Sequence, residues 1–433
     1  MTKVHKITAL LSIIGAGIIL LIDPALAAEA KLKVDTGDTA WLLTATAIVL
    51  MMTIPGLALF YAGMTRKKNV LSVLMQSFTI TCLISIIWMV IGYSFAFSKG
   101  ESAYIGNFDL AFLDHLTVEG VNGTIPDSLF VVFQMTFAII TAALITGAVA
   151  ERMKFSALLW FVGLWSIIVY SPVTFWVWGG GFLGDAGVLD FAGGTVVHIN
   201  SGVAALIACI MLGKRKGFGI ENLAPHNLSL TVIGGALLWV GWFGFNAGSA
   251  LGANGTAAMA MTVTQIAAAG AGLSWMSAEW LTQKKPTVLG IVSGAVAGLV
   301  AITPAAGFVG PKGALAIGLL AGLVCFWGAT SLKHKLGYDD SLDVFAVHGL
   351  GGITGAILTG VFAVKSIGGT AGALEGNFDQ IGIQFYGIVA TIIWSALATA
   401  VIIFVIDKSI GIRVDSDAEA EGLDLNQHGE MIH

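Results

Sequence analysis

Long stretches without a single charge dominate this chain and limit what it can fold into. Apolar blocks of roughly twenty residues follow one another between short polar segments, without the period-2 or period-3.6 stripes of half-buried elements. A block of that length matches a hydrocarbon core of about 30 Å crossed at ~1.5 Å per residue. Within lipid every backbone N–H and C=O must bond inside its own segment, so the blocks predict membrane-spanning helices. Only 11% of the 433 residues are charged and the mean hydropathy is +0.88, whereas a soluble domain carries about 25% charged residues. The 56 glycines fit closely packed spans.

Eleven spans are expected, at 40–64, 70–97, 127–150, 155–176, 194–213, 227–246, 254–277, 286–303, 312–332, 343–365 and 380–407. The fold class is therefore an all-α polytopic membrane protein, with a transmembrane domain over 38–411 and a tail at 412–433. Residues 1–27 read as a signal peptide. Lys3, His5 and Lys6 give a weakly basic start, Ile7 to Ile22 an apolar run, and Ala25-Leu26-Ala27 a small-residue end. An uncleaved first span is the rival reading, against which Pro24 and the small residues count.

Charge supplies an independent test of the span count. Loops on one face carry Arg66, Lys67, Lys68, Arg152, Lys154, Lys214, Arg215, Lys216, Lys284, Lys285, Lys333 and Lys335. With Lys408 and Arg413 that makes 14 basic residues, against Lys99, Lys312 and Lys365 on the other face. The positive-inside rule puts the 14 in the cytoplasm, the C-terminus with them, and the mature N-terminus outside. The sequence pI near 5.9, with no basic stripe to meet phosphates, argues against nucleic acid as a partner. The loop 98–126 is acidic and reads as solvated. The acidic tail, with Asp415, Asp417, Glu419, Glu421 and Asp424, reads as a disordered end.

The chain also repeats itself. Val197-His198 in the fifth span and Val347-His348 in the tenth are each followed by Gly four residues after the His, and Asp190 and Asp340 lie eight residues before. Five spans separate the two motifs, so the second enters from the opposite face, as in inverted repeats whose sites sit near mid-membrane. Eight residues at ~1.5 Å place each His about 12 Å deep, near the middle from either side. An imidazole in an apolar span is costly and faces a pathway or the bundle interior. Two there could share a proton, one ring donating and the other accepting. The plainer alternative is that each ring bonds a neighbouring helix. No ligand set for a metal accompanies them. Cys82, Cys209 and Cys325 sit singly in apolar runs and read as small hydrophobes.

Asp190 precedes the fifth span and suits a helix N-cap; direct ligation of a cation is the sharper alternative. Gly241 to Ser249 sets aromatics beside polar groups, with Trp176 and Trp178 on the same face. An interfacial aromatic belt would explain them. So would a cation site of ring faces and a hydroxyl.

Four segments make the pattern specific: Pro55 to Met64, Asp190 to Asn200, Gly241 to Ser249 and Asp343 to Gly349. Together they resemble the ammonium transporter (Amt/Rh) family over about Asp38 to Gly411. The resemblance implies an eleven-helix homotrimer with one pore per subunit, no cofactor and no enzymatic activity. It implies an outer ammonium site at Trp178, Phe137 and Ser249, a gate of Phe137 and Phe245, and a pore lined by His198, His348, Trp242 and Thr303. Asp190 is then the structural support of the outer site. Leu342 stands where relatives often have Cys. The family often binds a PII-type signalling protein at its cytoplasmic face. The expected activity is ammonium uptake across the inner membrane, as ammonia with or without a separate proton. An ammonium sensor acting through a cytoplasmic partner is the alternative, and a carbon dioxide channel a weaker third.

Overall fold

Eleven apolar helices form the body of the protein in the computed structural model, which describes residues 33–432. The expected signal peptide, 1–27, lies outside the described residues. Ten helices are long enough to cross a membrane: α1 Thr36–Met64, α2 Lys67–Phe97, α3 Asp127–Val149, α4 Phe155–Asp185, α5 Gly194–Leu212, α6 Leu228–Gly248, α7 Gly255–Gln283, α9 Pro311–Leu336, α10 Phe345–Phe362 and α11 Asp379–Ile410. The eleventh, α8 Val288–Ile302, is apolar but only 15 residues long. It ends in a turn at Thr303 and Pro304, and the chain continues through further turns, with the Ala305 N–H on the Ile302 carbonyl at 2.9 Å and the Val309 N–H on the Ala305 carbonyl at 3.1 Å. In the acidic loop, a two-residue hairpin pairs β1 Val121–Asn122 with β2 Ile125–Pro126.

Burial separates a centre from a rim. The most apolar window of α3 is 89% buried, while that of α11 is 33% buried. Phe385, Leu397 and Val401 of α11 and Leu319 and Leu323 of α9 stay exposed, as side chains facing lipid do. The helices α1–α5 and α6–α10 are the two inverted units, and α11 lies outside the repeat.

The two units meet where α5 and α10 cross. Both begin in a wide π-helical turn, Gly194–Ile199 and Phe345–Leu350, and each turn carries its histidine. Such turns concentrate at functional positions in helices. The glycines four residues beyond the histidines are explained by the crossing. A Cβ on Gly202 would overlap the backbone of Gly349, and one on Gly352 would come within 3.1 Å of the His198 Cβ and 3.0 Å of the Gly194 carbonyl oxygen.

Loops on the basic face are tied by buried charge. Arg152 is 0% exposed. It donates to the carbonyls of Gly213 at 2.8 Å, Ala150 at 3.1 Å and Asp339 at 2.6 Å, and to Ser341 Oγ at 2.6 Å. Arg215 meets Asp339 at 2.8 Å and Arg66 meets Glu151 at 2.8 Å. Burial pushes the Asp339 carboxyl up, but the Arg215 fork and the charge of Arg152 outweigh it and hold it below the usual carboxylate range.

The expectation of a disordered tail is corrected. Residues after α11 run back under the basic face: Lys154 donates its backbone N–H to the Ile412 carbonyl at 2.9 Å, and Val414 to that of Arg152 at 3.1 Å. Two short helices follow, α12 Ser416–Glu421 and α13 Leu423–His428. The acidic residues that suggested a solvated end instead meet backbone donors. Glu419 accepts from the Lys216 N–H at 2.6 Å and from Arg413 at 2.8 Å. Asp424 accepts from the Ser72 N–H at 2.7 Å, capping the start of α2.

Candidate functional site

The site grows from one carboxylate. Asp190 Oδ1 accepts from the backbone N–H groups of Gly193 at 2.8 Å and Gly194 at 2.6 Å. Oδ2 accepts from Thr195 at 2.8 Å and Val196 at 3.1 Å. Both oxygens are thus spent on the first turn of α5, whose orphan donors need partners. The capping arrangement expected from sequence is the one observed. Gly193 takes φ +115°, open to glycine, which lets the chain fold back over the carboxylate. The Asp190 carbonyl also accepts from Trp178 Nε1 at 2.8 Å, so one residue sets both the indole and the helix.

Trp178 stands edge-on to Phe137, with ring centroids 5.9 Å apart. Phe137 of α3 stacks on Phe245 of α6 at 4.2 Å. Both phenyl rings are essentially fully buried, and their faces meet with no polar group between them. Ser249 follows one turn after Phe245 and donates its hydroxyl to the Phe245 carbonyl at 2.8 Å. The three residues expected at an outer site and the two expected at a gate therefore converge at one end of the buried core.

Beneath Phe245 lies a narrow, enclosed cavity lined by His198, His348, Trp242 and Val197, with Leu144, Ile140 and Val296 among its apolar walls. His198 Nδ1 and His348 Nδ1 are 3.2 Å apart. Their rings are nearly parallel, at 26°. With both Nδ1 atoms facing each other, one must carry the proton and the other accept it. His198 is 1% exposed and its Nε2 has no partner within the protein. Trp242 stacks against His198 at 5.4 Å and donates Nε1 to Thr303 Oγ1 at 2.9 Å. Thr303, expected as pore lining, stands behind the indole as its hydrogen-bond partner.

His348 also borders a second narrow cavity, toward the basic face, walled by Phe60, Tyr61, Val296 and Leu342 and carrying Ser293 and Asp343. The two cavities share His348, Phe60 and Val296 as lining, one reaching Phe245 and the other Asp343. Sequence reasoning did not single out Phe60, Leu144, Val296 or Ser293. An apolar or small residue in an apolar span gives no signal of facing a lumen. Among the described residues no group of three or more His, Cys, Asp or Glu side chains is placed to hold a metal ion.

Comparison with known proteins identifies the family. The model of the Ammonium Transporter Family matches residues 40–433. The chain is 50% identical to an ammonium transporter of Aquifex aeolicus over 419 residues, 96% of this chain and 98% of that one. It is 50% identical to an ammonium transporter of Bacillus subtilis over 401 residues, 92% of this chain and 98% of that one. Among solved structures it resembles Mep2 of Candida albicans, with a TM-score of 0.84 and 36% identity, covering 92% of this chain and 90% of that one. It also resembles a protein named as a sensor Amt protein, with a TM-score of 0.85 and 31% identity, covering 90% of this chain and 98% of that one. From the paired histidines to the inverted helices that carry them, and across nearly its whole described length, this chain belongs to the ammonium transporter family.

Proposed function

We propose that the protein passes ammonium across the inner membrane by removing its water and then its charge. The basic face is cytoplasmic and the face of Trp178 and Ser249 is outside. Ammonium is gathered at Trp178, Phe137 and Ser249, where ring faces attract a cation and the hydroxyl accepts an N–H. Below the Phe137–Phe245 stack a positive ion would lose its hydration without a counter-charge, which is costly. Neutral ammonia carries no such cost, and the free imidazole nitrogens offer it hydrogen-bond partners. Potassium, similar in size and charge, has no proton to leave behind, so the same step excludes it.

The observation that carries this reading is the 3.2 Å imidazole pair walled by apolar side chains below the ring stack. It offers hydrogen bonding without a fixed charge. The released proton either returns to the outside or crosses separately along the Nδ1–Nδ1 contact. The deciding experiment uses purified protein in voltage-clamped vesicles with pH controlled independently. Ammonium-dependent current in the absence of potassium establishes the separate proton route, and electroneutral uptake establishes the neutral one. No ammonium uptake by either route would remove the proposal.

A homotrimer is the assembly expected of this reading, and mass measurement in detergent checks it. A PII-type signalling protein would dock on the basic face. A second reading, an ammonium sensor working through such a partner, is favoured by the likeness to a protein named as a sensor Amt protein. Co-purification from nitrogen-starved membranes, with and without ammonium, separates a regulated transporter from a sensor that moves no substrate.

A further inference from the structure

We infer that Asp340 is a titrating positioning residue for His348, through which the water on the basic face adjusts the seat of one imidazole of the pair. The inference rests on the transport reading above and adds a control to it. Asp340 and Asp190 hold matching places in the two repeats, each eight residues ahead of its histidine, yet their oxygens are spent unequally. Four backbone N–H groups fill both oxygens of Asp190. Asp340 accepts from the Phe345 N–H with Oδ2 at 2.7 Å, while its buried Oδ1 has no hydrogen-bond partner among the described residues. Phe345 opens the wide turn Phe345–Leu350 that carries His348. One bond therefore ties this carboxyl to the histidine's own turn, and the other oxygen is open to a proton.

The surroundings make the carboxyl rigid and its ionisation variable. Asp340 is 1% exposed. Arg215 holds its neighbour Asp339 at 2.8 Å, and Arg152 holds its neighbour Ser341 at 2.6 Å. The carbonyl of Asp340 itself accepts from Lys333 Nζ at 2.5 Å. With the chain pinned on both sides, a change of charge is not absorbed by movement of the loop and falls on the bond to α10. Facing the carboxyl are Tyr61 of α1, Cys209 of α5, Arg215 in the loop after it, Lys333 of α9, and Tyr338 and Asp343 of its own segment. Lys333 and Asp343 are 14% and 39% exposed, which gives protons of the basic-face water a way in. Burial raises the Asp340 carboxyl to about 6, so both of its forms are populated between about pH 5 and 7. The ionised form holds the Phe345 N–H by a charge-assisted bond, roughly twice as strong as a neutral one. The turn under His348 is thus held firmly above about pH 6 and loosened below it.

The test compares the wild type with Asp340→Asn in vesicles whose protein has its basic face inward. Initial influx of labelled methylammonium is measured while the inner pH is stepped from about 7.5 to about 5 at constant outer pH, and then with the two sides exchanged. The ratio of wild-type to variant influx cancels the driving force common to both. Loss of charge assistance at one hydrogen bond predicts a ratio of roughly threefold at an inner pH of about 7.5. The ratio falls to about one by an inner pH of about 5, with its midpoint near 6, and does not respond to outer pH. Nitrogen-15 NMR of the imidazoles reads the same event without transport: the His348 signals move with that midpoint in the wild type and stay still in the variant. A merely structural role would scale influx equally at every pH. A constant ratio, or one that follows the outer pH, overturns the inference. So does a wild-type His348 signal that stays still as the inner pH falls, and this arm decides the matter even where the variant fails to fold. Absence of wild-type influx at every pH would instead count against the transport reading.

Discussion

His198 Nδ1 lies 3.2 Å from His348 Nδ1, so the two rings are joined by their backbone-proximal nitrogens and both Nε2 atoms are left for whatever occupies the cavity. The relationship couples two residues 150 positions apart into a single element with one shared proton. His198→Ala leaves the apolar wall in place but removes one half of that element. Uptake of methylammonium by reconstituted protein is expected to fall at least about tenfold, roughly 1.4 kcal/mol on the transport barrier, while size-exclusion behaviour stays that of the wild type. Full uptake by the variant would take the imidazoles out of the mechanism.

Gly202→Val tests whether the crossing of the repeats fixes this geometry. The new side chain would push against the Gly349 backbone, and overpacking of this kind costs about 1–3 kcal/mol or more. We expect a lower melting temperature in detergent together with lost uptake, although residue 202 does not border the cavity. A variant with normal uptake would show that α5 and α10 can separate harmlessly.

Asp190→Ala strands four backbone donors at the start of α5. Each buried unmet donor costs about 1–3 kcal/mol, so the folded yield should collapse, and with it the seat of Trp178. Asp190→Asn keeps one acceptor oxygen and should fall between. Ser249→Ala, by contrast, removes a hydroxyl beside the ring stack and should raise the half-saturating concentration without moving the melting temperature. Equal thermal effects from Asp190→Ala and Ser249→Ala would contradict the division of labour between cap and ligand.

Asp340 supplies a pH dependence. Burial pushes its carboxyl up from 3.8 to about 6, against the attraction of Lys333 and with repulsion from Asp343. The folded chain therefore holds this proton more tightly than the unfolded chain does. The corresponding stability is fully present below about pH 4 and is lost as pH rises through about 6. Asp340→Asn keeps an acceptor for the Phe345 N–H, which the wild-type carboxylate meets at 2.7 Å, and removes the ionisation. Melting in detergent should rise by about 2–4 °C at pH 8 relative to the wild type and lose the difference by pH 4. A variant equally displaced at both pH values would place the origin elsewhere.

How much of this was written in the sequence differs from element to element. The spans were legible because twenty apolar residues have few other fates, and Asp190 was legible as a cap because a carboxylate ahead of a Gly-Gly turn has backbone donors within reach. The twin histidines were legible because an imidazole in an apolar span demands a reason and this one came twice. The short α8 was not distinguished from its longer neighbours, since an apolar turn at Thr303 and Pro304 has the composition of a helix end. The tail misled because its acidic residues look solvated until their partners, the N–H groups of Lys216 and Ser72, are known. Those partners lie 203 and 352 residues away in sequence, and no local pattern announces them. Thr303 was placed in the lumen by resemblance, and its hydroxyl is taken up in fixing the Trp242 indole.

The reciprocal seating of Gly202 under one histidine's backbone and Gly352 under the other's side chain bears on how such a protein can work. Two halves keyed into each other at the level of the main chain cannot rock about the substrate, since any tilt would drive backbone into backbone. On the proposed route, the groups left to move are then the stacked rings of Phe137 and Phe245. Side-chain rotation is far quicker than hinge motion, so the timing of each passage would be governed by aromatic turnstiles, with the scaffold standing still.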